Sequence, residues 1–282
     1  MQTFHFRRRK KRVSRRRKNK GVVLTKRKKF FLVSVLLTIG LFIVQSLPVE
    51  RRFVSLMILF GVAYGLSAWS LAKDLSGIEW LTCLLLPSLF PVSVGLFYFL
   101  LPQMGVVRLI VLGLFVISMY AILLTANIFS VASIRTIQLL RAARAIGFLF
   151  TILTATFLFH LILSFKMHFW WNGLAVFGVS WLLFVQGLWS LELDERGLSK
   201  RVLSYSLVGS VVMLEAGVIV SFLPVEVALG SLFLAMSLYV LLGIMQHFFE
   251  EKLFKRTVNE YLFFGILAGL ITVIASIISW WS

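Results

Sequence analysis

The uncharged stretch LIVLGLFVISMYAILLTANIF, residues 109–129, decides the class of fold to which this chain belongs. A helix needs about 20 mostly apolar residues to cross the ~30 Å hydrocarbon core of a bilayer, and this stretch is long enough. Eight other stretches share its character, so we predict nine spans, at residues 30–47, 53–71, 80–101, 109–129, 145–164, 170–190, 203–223, 227–247 and 261–281. Their apolar character is continuous and lacks the alternation of a barrel wall, which indicates helices. The predicted fold is an all-α, polytopic transmembrane helical bundle.

The composition excludes a soluble globular protein. Hydrophobic residues make up 60% of the 282 positions and charged residues only 14%, whereas roughly a quarter of the residues of a soluble domain are charged. Fifteen of the 29 Lys and Arg residues fall within the first 29 positions, with no acidic residue among them. We therefore divide the chain into a disordered basic cytoplasmic tail, residues 1–29, and a transmembrane helical domain, residues 30–282.

The distribution of charge in the loops predicts the orientation. Cytoplasmic connections carry an excess of Lys and Arg. If the amino terminus is inside, the inner connections carry ten basic residues, Lys73, Arg135, Arg141, Arg144, Arg196, Lys200, Arg201, Lys252, Lys255 and Arg256. The outer connections then carry four, Arg51, Arg52, Arg108 and Lys166. Nine spans place the carboxyl terminus outside. Eight spans is the alternative, and the interpretation of residues 130–144 decides between eight and nine.

The first span also raises the question of targeting, because secretory signals begin with a basic segment and an apolar run. Residues 44–48, VQSLP, contain no A-x-A-like cleavage site. We therefore interpret residues 30–47 as an uncleaved helix. A mitochondrial transit peptide would be similarly rich in Arg and poor in acids, and stays an alternative.

The basic tail holds more charge than topology requires. Each base near an anionic leaflet gains ~1 kcal/mol, and a flexible basic arm also binds RNA phosphates. Anionic lipid headgroups are the preferred partner, with RNA, for example in the ribosome, as the alternative. The candidate contact residues in the tail are Arg7, Arg8, Arg9, Lys10, Lys11, Arg12, Arg15, Arg16 and Arg17. Arg141 and Arg144 are three apart on one helical face and could hold a lipid phosphate or an acidic partner.

Glu215 is the most informative single residue, because it lies inside the seventh apolar stretch. An ionisable group at such a depth costs a few kcal/mol and suggests a function. His160 in the fifth span lies within ~5 Å of the same depth at 1.5 Å per residue, so the two side chains could meet. Tyr120 is a further candidate hydrogen-bond partner. With Ser206, Ser210 and Gly217 forming a narrow seam on its opposite side, the seventh span is predicted to be central.

Two further patterns concern packing. Pro87 and Pro91 lie four apart in the third span and are predicted to kink it. Two G-x-x-x-G pairs, Gly61 with Gly65 and Gly265 with Gly269, are predicted to allow close approach of helices, within the chain or between copies.

Recognisable catalytic and cofactor motifs are absent from the sequence. It has no G-x-x-x-x-G-K-[ST] phosphate loop, no H-E-x-x-H, no G-x-S-x-G and a single cysteine. We expect no metal and no cofactor. The leading hypothesis is a non-enzymatic protein that interacts with embedded partners along its helices. The alternatives are a proton-coupled transporter of a small or amphiphilic solute that uses Glu215, and an intramembrane enzyme that acts on a lipid-borne substrate.

The segment NIFSVASIRTIQLLRAARAIGFLFTI, residues 127–152, resembles segments of uncharacterised bacterial multi-spanning membrane proteins. The resemblance carries no known activity. It implies location in a bacterial plasma membrane.

Overall fold

The computed structural model describes residues 25–102, 104–132, 139–193, 197–251 and 254–281. Within these ranges the chain forms nine α-helices: α1 Lys26–Ser46, α2 Val49–Leu71, α3 Glu79–Tyr98, α4 Gly105–Ala132, α5 Leu140–Ser164, α6 Phe169–Trp189, α7 Lys200–Phe222, α8 Val227–Phe249 and α9 Lys255–Trp281. All nine are long and apolar enough to cross a membrane. The prediction of an all-α protein with nine candidate spans is confirmed for the described part of the chain.

Local sequence explains where several helices begin. Pro48 immediately precedes α2, and Pro102 and Pro224 lie in the connections before α4 and α8; proline restricts the residue before it to an extended conformation and supplies no N–H group. Ser199 caps α7, because its hydroxyl oxygen accepts a hydrogen bond from the Val202 amide at 3.1 Å.

The described residues form two clusters of buried apolar side chains in the interior. The first is contributed mainly by α1 to α4, and Phe90 at its centre stacks on Phe115 and meets Phe150 edge-on. The second is contributed mainly by α5 to α8 and includes Phe184 and Trp189. Lipid tails are as apolar as these side chains, so close packing rather than exclusion of water must hold the helices together.

α3 is the central helix of the bundle. It packs against α1, α2, α4, α5 and α6, and most of its residues are buried. It runs without interruption through Pro87 and Pro91, both of which are buried. The Ser88 hydroxyl donates to the Leu84 carbonyl at 2.6 Å, which satisfies an interior hydroxyl on the helix itself.

The expectation that α7 is central was wrong. Its buried side contains Ser206, Ser210 and Gly217, as predicted, and this side packs closely against α6. The opposite side is exposed, and α7 lies at the edge of the bundle with α6 and α8 as its main neighbours. The apolar residues on the opposite face of α7 do not imply a second protein neighbour in a membrane, because lipid accepts an apolar face equally well.

The two G-x-x-x-G pairs differ in whether another helix packs against them. A Cβ atom at Gly265 would lie 3.3 Å from Val240, so this pair on α9 lies against α8. Gly61 and Gly65 face open space on the exposed side of α2. Only the pair on α9 therefore serves close packing within the described chain.

Candidate functional site

Glu215 projects from the outward face of α7. Its neighbours on that face are exposed apolar residues, among them Val211, Val212 and Ile219, and Glu215 is itself exposed. Fifteen residues separate it from Lys200, which places it ~22 Å along a helix with a rise of 1.5 Å per residue. A carboxyl group at that position lies within the apolar part of the helix and not at its end.

No hydrogen bond or ion pair joins Glu215 to any residue in the described ranges. Such a group in contact with hydrocarbon costs a few kcal/mol unless it is paired. The Glu215 carboxyl group can accept a hydrogen bond from a group outside this chain, or it can carry a proton.

His160 lies elsewhere, on the side of α5 that faces α8. Its Nδ1 lies 3.1 Å from the Ser231 hydroxyl, and its ring meets Phe97 edge-on with centroids 5.4 Å apart. This half-buried histidine therefore contacts α8 and α3 rather than α7.

Tyr120 lies on α4, where it packs half-buried against the first apolar cluster. The structure therefore does not bring the three predicted residues of the intramembrane site together. Equal depth was the basis for expecting them to meet. Depth says nothing about direction around the helix axis, and Glu215 points away from the bundle.

Arg144 and Arg141 have different environments. The Arg144 guanidinium donates to the Ser190 carbonyl through Nε at 3.2 Å, to the Leu191 carbonyl through Nη2 at 3.2 Å, and to Glu250 Oε1 through Nη1 at 2.9 Å. It thereby ties the start of α5 to the ends of α6 and α8. The guanidinium of Arg144 is therefore engaged within the protein, whereas Arg141 is exposed; contact of Arg141 with an anionic lipid stays a prediction.

The tail residues Arg7 to Arg17 lie outside the described residues. Two of the four described bases of the basic segment contact the α2–α3 region. Lys26 pairs with Asp74 at 2.6 Å, and the Lys29 ammonium lies 4.7 Å from the centre of the Trp69 ring.

Glu79 is a buried acid that the sequence reasoning did not single out. It is fully buried at the start of α3, and its Oε2 accepts a hydrogen bond from the Ser76 amide at 2.9 Å. The signal was present as the pattern S-x-x-E at residues 76–79, which is typical of a helix start. The position at the helix amino terminus, where the backbone dipole favours negative charge, explains the contact of Oε2, whereas Oε1 is buried without a hydrogen-bond partner among the described residues.

Among the described residues, His, Cys, Asp and Glu do not assemble in a group of three that could hold a metal ion. Neither a curated protein nor a solved structure matches the chain. A family model described as "Protein of unknown function (DUF5656)" matches residues 54–275, which include α3 to α8 entirely and most of α2 and α9. The basic tail and α1 lie outside the match, which covers more than half of the chain, and the chain belongs to the DUF5656 family.

Proposed function

We propose that this protein is a non-enzymatic integral membrane protein that binds a transmembrane helix of another protein along the outward face of α7. The supporting observation is the position of Glu215, an exposed acid in the middle of an otherwise apolar helix face. Contact with lipid leaves its carboxyl group without a partner at a cost of a few kcal/mol. A helix that covers the face and supplies a hydrogen-bond donor removes that cost.

The chemistry of the face defines the partner. Exposed Leu207, Val208, Val211 and Ile219 require an apolar surface of matching length, and Glu215 requires a donor at its own depth. A helix that carries a Lys, Arg or His, or a hydroxyl or amide side chain, at that depth meets both requirements.

The same proposal includes an orientation and a location. The ten basic residues of the inner connections against four in the outer ones favour an amino terminus in the cytoplasm and a carboxyl terminus outside. The resemblance of residues 127–152 to bacterial proteins favours a bacterial plasma membrane. The polybasic tail then lies beside the anionic inner leaflet, which attracts it.

RNA is the alternative ligand of the tail. High salt weakens both interactions, whereas ribonuclease releases the protein only from RNA. Proton-coupled transport is the alternative for the membrane domain. It has less support than binding, since His160, the second group of the relay, is engaged by Ser231.

Site-specific crosslinking in cells tests the helix-binding proposal. A photoreactive phenylalanine analogue at Ile219, 57% exposed on the face of Glu215, is expected to give a discrete adduct with one membrane protein. The matched control is the analogue at Leu114, which is 62% exposed on α4 and should give no discrete adduct.

Variants of Glu215 show whether the crosslinked adduct reflects specific binding or only proximity in the membrane. Glu215→Gln retains a hydrogen-bonding group and should preserve the adduct, whereas Glu215→Leu should abolish it. Equal adducts from Ile219 and Leu114, or an adduct that persists in Glu215→Leu, would exclude α7 as the binding face.

A further inference from the structure

A polar cavity of about 210 Å³ lies at one end of the bundle, where α5 and α7 end and α6 and α8 begin. Its polar lining consists of Lys166, Asn172, Ser221 and Glu226. Apolar residues of the same helix ends complete the wall.

Asn172 has a buried side-chain oxygen without a hydrogen-bond donor among the described residues. Its side chain is only 4% exposed, and its Nδ2 donates to the Met167 carbonyl at 3.2 Å and to the Ser221 hydroxyl at 3.1 Å. A carbonyl only accepts hydrogen bonds, so the orientation of the amide is fixed. The Asn172 Oδ1 is buried and finds no hydrogen-bond donor among the described residues. Buried acceptors are almost always paired, so a donor from outside the chain is expected here.

Two opposite charges complete the lining. Lys166 and Glu226 are both exposed at the cavity. Within the described ranges neither forms an ion pair, with the other or with another residue. Glu226 also makes no side-chain hydrogen bond as the residue that caps α8. An ammonium and a carboxylate that remain separate at one cavity can each pair with the opposite charge of a ligand.

We propose that this cavity binds a small zwitterion that carries a primary ammonium and a carboxylate, of the size of a small α-amino acid. The ligand ammonium donates to Asn172 Oδ1 and pairs with Glu226, and its carboxylate pairs with Lys166. Charge-assisted hydrogen bonds of this kind are shorter and stronger than neutral ones.

The test uses the full-length protein in lipid nanodiscs and three probes of similar size. L-Alanine carries both charges, ethylamine only the ammonium and propionate only the carboxylate. Isothermal titration and the midpoint of thermal unfolding are measured with each. L-Alanine is expected to bind at least about tenfold more tightly than either single-charge probe, as expected for the loss of one charged hydrogen-bonded contact.

Variants assign the binding to this cavity. Glu226→Gln and Lys166→Met alter exposed side chains and should each weaken L-alanine binding about tenfold or more. Asn172→Leu should abolish it. Glu260→Gln, an exposed acid on α9, is the control and should bind as the parent protein does. If Asn172→Leu fails to fold, the two exposed variants decide the result.

Equal binding of L-alanine, ethylamine and propionate would overturn the proposal, as would binding that survives both Glu226→Gln and Lys166→Met. The absence of any L-alanine binding would overturn it as well.

Discussion

The structural role of a charged residue in this protein depends on the groups that it contacts more than on its residue type. Arg144 and Arg141 are three residues apart and equally basic, yet one holds three helix ends together and the other is exposed. Glu215 and Glu79 are both acids within apolar helices, yet Glu79 lies at a helix start with a backbone donor and Glu215 does not. The sequence predicted which polar residues lie in the spans. It could not predict the direction in which each side chain points.

The arginine pair gives a test at this scale. Arg144→Met removes donors from two backbone carbonyls and from Glu250, so we expect a loss of about 1–3 kcal/mol in the free energy of unfolding. Arg141→Met alters an exposed side chain and should change it by less than about 0.5 kcal/mol. Unfolding of both variants in the same detergent, followed by circular dichroism, makes the comparison. Equal effects would show that Arg144 is not a structural clamp.

At the scale of whole helices, length and hydropathy predicted nine spans, and the described part of the chain has nine helices of that character. Several bounds extend beyond the apolar stretches. α1 begins at Lys26 and α9 at Lys255 rather than at residues 30 and 261, because long basic side chains can reach the interface from a helix that continues past the hydrocarbon. The neighbours of each helix were not predictable, since inward and lipid-facing sides are equally apolar here.

The contact between α6 and α7 depends on glycine, and α6 offers a matched pair for a test. A Cβ atom at Gly173 would lie 2.7 Å from Val218 Cγ2 on α7, whereas one at Gly178 would meet nothing within 4 Å. Gly173→Ala should therefore lower the free energy of unfolding by about 1–3 kcal/mol through overpacking.

Gly178→Ala should be neutral or stabilising by up to about 1 kcal/mol, because alanine favours a helix interior more than glycine does. Thermal unfolding in detergent measures both variants. A Gly173→Ala variant as stable as Gly178→Ala would show that the two helices can separate without cost.

At the scale of the whole molecule, the bundle has two apolar clusters that meet at α3 and α5. We predict that the amino terminus of this bundle lies in the cytoplasm and its carboxyl terminus outside. An odd number of spans requires the two termini to lie on opposite sides of the membrane.

Fusion reporters test this orientation. An alkaline phosphatase fused after Ser282 should be active, because this enzyme folds only outside the cytoplasm, and a green fluorescent protein at the same position should be dark. Replacement of Lys200, Arg201, Lys255 and Arg256 by Gln is expected to shift part of the population toward the reverse orientation. A fluorescent carboxyl-terminal fusion in the parent protein would contradict the proposed orientation.

α9 packs chiefly against α8 and is exposed along most of its length. In a bilayer we therefore expect contact with lipid, more than packing against other helices, to hold α9 in place. A helix longer than the local hydrocarbon thickness tilts, whereas packing against neighbouring helices resists tilting. We therefore expect the tilt of α9 to respond to a thinner or thicker bilayer more than the tilt of the deeply packed α3 does.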